Sequence, residues 1–127
     1  MNEVLVDTSV WVDHFRRSSK SLADLLSLDM AMTHPMIVTE LACGTPPAPR
    51  ARTLADIATL PQARQASLTE VRELIERERL FGLGCGLVDL TLLASTILTT
   101  GARLWTLDQR LHLLAERFQI AYLPTTH

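Results

Sequence analysis

Cysteine, glycine and lysine are scarce in this chain of 127 residues, and neither a long apolar run nor an excess of one charge stands out. Cys43 and Cys85 have neither C-x-x-C spacing nor a histidine at zinc-site distance, which argues against a soft-metal site. They read as reduced, buried thiols. Of five glycines, Gly82, Gly84 and Gly86 fall together as G-x-G-x-G, late in the chain and without the G-x-G-x-x-G spacing of a dinucleotide fingerprint. They read as a flexible loop. No stretch approaches the ~18 apolar residues of a membrane helix, and Met1-Asn2-Glu3 offers no basic region ahead of its short apolar run. A cytoplasmic protein without a membrane partner is expected.

The net charge of −2 excludes a global polyanion-binding signature, so any nucleic-acid role must rest on local charge. Lys20 is the single lysine against eleven arginines, and arginine suits bidentate contact with phosphate or carboxylate. Arg16, Arg17, Arg50 and Arg52 stand in short clusters, with Arg16 and Arg17 the first candidates for substrate contact. An apolar content of 47% with mean hydropathy +0.16 rules out a disordered chain. The length suits one domain over residues 1–127 with a well-filled core.

What is present is an alternation of short apolar runs and helical periodicities. Residues 3–6 read as a strand, followed by a helix through Trp11 and Phe15 and a second over about 19–28. Met30 to Met32 suggest a very short strand. Pro35 suits a helix N1 position, with Gly44 as the stop. Further helices are expected over 50–60 and over 69–81, the latter with Thr69 as N-cap and a Glu73–Arg77 pair outside. Asp89 is expected to open a helix over 89–100 that Gly101 ends. A strand over 103–106, a helix over 109–118 and a last strand over 120–123 complete the reading. Strands separated by helices predict a parallel sheet with helices on both faces.

Four carboxylates occupy the informative places in this pattern. Asp7, Asp89 and Asp108 each follow an apolar run, and Glu40 lies within an apolar helix. Taken singly, the three aspartates also suit helix N-caps. Glu40 does not: it shares a stripe with Met36 and Ile37, in a segment with no other charge from 35 to 49, and a carboxylate turned toward a core needs a partner or a metal. Ligands of open parallel sheets bind at the carboxyl ends of the strands, where Asp7 and Asp108 fall. If the fold gathers all four, their repulsion calls for a divalent cation, and such a site handles phosphates.

Other chemistries lack their residues. Asp-Thr-Ser at 7–9 has neither the paired acids of a receiver phosphoacceptor nor the D-x-D of a phosphatase. His14, His34, His112 and His127 show no triad logic and read as structural or solvated. The charge-dense segment 72–79 reads as a solvated helix face.

The opening V-D-T-S-V-W-V-D block, then T-E-L, V-D-L-T-L-L-A-S and L-W-T-L-D, in this order through nearly the whole chain, resemble the PIN-domain ribonuclease toxins called VapC. The resemblance implies a PIN-like α/β/α sandwich with a central parallel sheet. It also implies that Asp7, Glu40, Asp89 and Asp108 are the acidic quartet that holds Mg²⁺ or Mn²⁺ and catalyses RNA hydrolysis, with Thr8, Ser9 and Thr106 beside it. A homodimer and a VapB-like antitoxin, whose C-terminal segment covers the groove, are implied as partners. The competing expectation is a catalytically silent PIN-like module that binds RNA or protein. A DNA-directed flap-type nuclease would need further acids and greater length.

Overall fold

Val4, Leu5 and Val6 are fully buried, as a strand covered on both faces requires, and they form the middle strand of the sheet. The computed structural model describes residues 3–124. β1 (Val4–Val6) pairs in parallel with β2 (Ala31–Met32) on one side and with β3 (Arg103–Trp105) on the other, giving the order β2-β1-β3. Val4 lies opposite Ala31 and Arg103, and Val6 opposite Trp105. Because the chain leaves β1 toward one neighbour first and the other later, connections diverge at its carboxyl end, which is where such sheets form a crevice.

Among the described residues, seven helices flank this sheet in the expected α/β/α sandwich: α1 (Thr8–Arg17), α2 (Lys20–Ser27), α3 (Pro35–Cys43), α4 (Arg50–Ala58), α5 (Leu68–Glu78), α6 (Leu87–Leu98) and α7 (Gln109–Arg117). α1 packs on α3 and α3 on α4, whereas α6 packs on α5, α7 and β3. Residues Leu90 to Thr96 of α6 are all buried, the mark of a helix enclosed on every side. Thr91 and Thr96 satisfy their hydroxyls on the carbonyls of Leu87 and Leu92, both at 2.7 Å. No helix among the described residues is long and apolar enough to cross a membrane.

The structure corrects several local expectations. α5 is capped by Ser67, not Thr69: Ser67 and Glu70 form a reciprocal capping box that satisfies two backbone N–H groups at the helix start. Arg77 sits 3.5 Å from Glu78 in place of the Glu73 pairing. α6 begins at Leu87, so Asp89 lies inside its first turn and does not open the helix. Gly101, at φ 80°, belongs to the turn closed by the Ala102 N–H on the Thr99 carbonyl, beyond the helix C-cap at Thr99. The last strand shrinks to one parallel bridge between Ala121 and Leu104, and Pro124, which has no N–H, cannot extend it. Cys43 is exposed and Cys85 half-buried, so neither is the buried thiol expected. His127 lies outside the described residues.

Candidate active site

Asp7 leaves the end of β1 and caps α1, with only 5% of its surface exposed. Its Oδ2 accepts hydrogen bonds from Ser9 Oγ at 2.6 Å and Thr106 Oγ1 at 2.8 Å, with the Ser9 N–H at 3.4 Å. Ser9 Oγ in turn accepts from the Leu107 N–H at 3.0 Å, and Thr106 Oγ1 from the Asp108 N–H at 3.1 Å. The turn after β1 is thereby tied to the turn after β3, and Asp7 and Asp108 are fixed relative to each other. All three contacts to Asp7 fall on one oxygen; among the described residues, Oδ1 accepts none.

Asp108 is exposed and caps α7 through Oδ1, which accepts from the Leu111 N–H at 3.0 Å. Glu40 projects from the second turn of α3 toward α1, where Thr8 Oγ1 donates to its Oε1 at 2.6 Å. It is half-buried, turned neither into the core nor to bulk solvent. Asp89, also half-buried, completes the set from α6. Burial first, then the charges of Asp7 and Asp108, and finally Glu40, push its carboxyl above the usual carboxylate range against the opposing Gly86 N–H. The charges of three acids from three other segments thus reach Asp89.

Among the described residues, none of the four enters an ion pair. Nor are any three acidic, histidine or cysteine side chains drawn together tightly enough to enclose an ion. The array is open.

No family model matches the chain. It is 45% identical over 108 residues to proteins named Ribonuclease VapC32 from two strains of Mycobacterium tuberculosis, an alignment covering 85% of this chain and 86% of the relative. The chain belongs to the VapC family.

Around the acids of this VapC chain, the arginines divide. A groove of about 530 Å³ runs from Thr8 and Glu40 past Val12 and Phe15 to Pro46 and Pro47, with Arg16 on its lining. Arg17 points elsewhere: its Nε and Nη2 reach Asp13 Oδ1 at 3.1 and 2.7 Å on the outer face of α1. Arg50 is structural too, because it donates to the carbonyls of Ala42 and Gly44 at the end of α3. Arg52 is exposed on α4 and does not line this groove.

The histidines serve the frame. His14 Nδ1 accepts the Ser19 N–H at 2.9 Å between α1 and α2, and His34 caps α3. Arg110, which no motif singled out, follows the cap Asp108 by two residues and lays its guanidinium against Gly84 of the glycine-rich loop. The available signal was a cation two residues after a capping aspartate, at a helix end that disfavours positive charge.

Proposed function

We propose that this chain is a divalent-metal-dependent endoribonuclease, the toxin of a VapBC-type pair, hydrolysing RNA phosphodiesters at Asp7, Glu40, Asp89 and Asp108. The observation that carries this reading is that the charges of Asp7, Asp108 and Glu40 all bear on Asp89 and that none of the four carboxylates has an ion-pair partner among the described residues. Hard oxygen donors suit Mg²⁺ or Mn²⁺. Mg²⁺ is commonly held by one or two carboxylates with waters and substrate phosphates, so an open array fits it better than a closed cage would.

Asp7, Asp89 and Asp108 hold the cation in this account. When bound, it offsets charge on the phosphoryl oxygens and makes water a stronger acid. Ser9 and Thr106 fix Asp7 by occupying Oδ2, so that Asp7 would offer its other oxygen to a cation. Thr8 orients Glu40, whose second oxygen takes no hydrogen bond among the described residues and is left to align a water or receive its proton. Water is the nucleophile and the 3′-oxygen the leaving group in this reading, so the P–O3′ bond breaks, the products carry 5′-phosphates and 3′-hydroxyls, and the ribose 2′-hydroxyl is a spectator.

The relatives' name supports RNA as substrate and a VapB-like antitoxin as partner, and the groove beside Glu40 is where such a partner would block access. A cytoplasmic homodimer is the form we expect. The test is RNA cleavage by the purified chain with Mg²⁺ or Mn²⁺. Cleavage should stop in EDTA, and Asp7→Asn should lose at least a hundredfold in rate, on the order of removing one essential charge-stabilising group. Undiminished cutting in EDTA would overturn the mechanism, and RNA binding without any cutting would favour the silent module.

A further inference from the structure

Arg110 occupies a position that helix electrostatics disfavours. It is the second residue of α7, where the partial positive charge of the helix end repels a cation. It is exposed, and among the described residues it forms no ion pair. Yet it stands two residues after Asp108, and its charge reaches the Cys85 thiol, whose pKa burial raises first, then Asp89 and Asp108, with the arginine opposing them.

The glycine-rich loop is shaped around this side chain. A Cβ at Gly84 would fall 2.7 Å from both Cδ and Nη1 of Arg110 and 3.0 Å from Cζ, so the arginine lies directly on bare backbone. Gly84 also has φ 88°, a conformation that glycine adopts without penalty. Arg16 lines the groove that contains Glu40 and Thr8, whereas Arg110 accompanies Asp89 and Asp108. Arg16 thus stands by Glu40 and Arg110 by the turn that carries Asp108, each without an ion-pair partner among the described residues. A polyanion laid across four carboxylates needs cations of this kind, and the planar guanidinium fork chelates a phosphate where a lysine offers a point charge.

We propose that Arg110, seated on Gly84, binds an RNA phosphate adjacent to the scissile one, with Arg16 holding the strand in the groove beside Glu40. This inference rests on the ribonuclease reading above. It makes Arg110 a substrate-binding residue and the glycine loop its support.

The experiment is steady-state cleavage of total cellular RNA by the full chain, its Arg110→Ala and Arg110→Lys variants and Gly84→Ala, across a range of salt concentrations with Mg²⁺ fixed. Arg110→Ala should raise KM about tenfold with a much smaller change in kcat, and flatten the slope of log(kcat/KM) against log salt by about 0.7, one phosphate contact on a single strand. Arg110→Lys should restore the salt slope but only part of the KM. Gly84→Ala should reproduce the KM defect by displacing the guanidinium, and melting curves identify any loss due to misfolding. An Arg110→Ala protein that melts like the parent with KM and salt slope unchanged overturns the proposal. So does a defect confined to capture of an acidic protein partner. If the parent chain cuts no RNA, the ribonuclease reading itself has failed and takes this inference with it.

Discussion

At Asp89, burial and the charges of Asp7, Asp108 and Glu40 all act in one direction, and only the Gly86 N–H opposes them. A carboxyl that is easier to protonate folded than unfolded makes the folded chain bind more protons over that interval, so stability falls as pH rises through it. In EDTA at pH 7, Asp89→Asn should therefore melt at a higher temperature than the parent, with the gap closing as the pH approaches 4. A lower melting point for Asp89→Asn would show that the acids are not in conflict. Residues of this kind were partly legible in the sequence. Asp7 and Asp108 announce themselves by ending strands, and Glu40 by its apolar helix, whereas the fates of Arg17 and Arg110 were not legible. A guanidinium's partner is set by tertiary placement, and Asp13 claims Arg17 while Gly84 cradles Arg110.

At the scale of elements, α3 is held at its start by His34. The buried ring accepts the Met36 N–H at Nδ1, 3.0 Å away, and its Nε2 meets Ser95 Oγ of α6 at 3.2 Å; Ser95 Oγ also accepts the Ala66 N–H at 3.1 Å. A neutral ring with Nδ1 as acceptor and Nε2–H as donor satisfies both contacts. Burial lowers the His34 pKa below 6.5, so its contribution to stability is complete above that pH and is lost as the pH falls from 6.5 toward the folded value. Urea unfolding should accordingly show a drop in stability between pH 7 and pH 5.5 that His34→Asn, which can cap without titrating, removes. An identical pH profile in the variant would refute this role. Elements bounded by strong local signals, such as Pro35 and the apolar strand Val4–Val6, were readable in the sequence. The start of α5 was misplaced although Ser67 and Glu70 carry the capping-box spacing, because Thr69 is itself an acceptable cap. The terminal strand failed because pairing with β3 depends on a neighbour, not on the apolar character of residues 120–123.

For the whole molecule, the parallel sheet followed from the alternation of strands and helices, but the convergence of the acids did not. β1 supplies Asp7, the β3–α7 turn supplies Asp108, and two helices on different sides of the chain's path supply Glu40 and Asp89. Only the packing of α1 on α3 and of α6 on β3 sets these segments side by side, and packing partners leave no local trace in a sequence. With a net charge of −2, long-range attraction cannot bring RNA to this site, and local guanidinium groups must do so. The central claim is that four distant carboxylates act as one site for a divalent cation. It is tested most directly by calorimetric titration of Mn²⁺ into the chain and into Asp7→Asn, Glu40→Gln, Asp89→Asn and Asp108→Asn. The account predicts saturable binding by the parent that weakens at least tenfold in the Asp7 and Asp89 variants, the scale expected for losing a charged ligand. Mn²⁺ binding of equal affinity in the parent and both variants would contradict it.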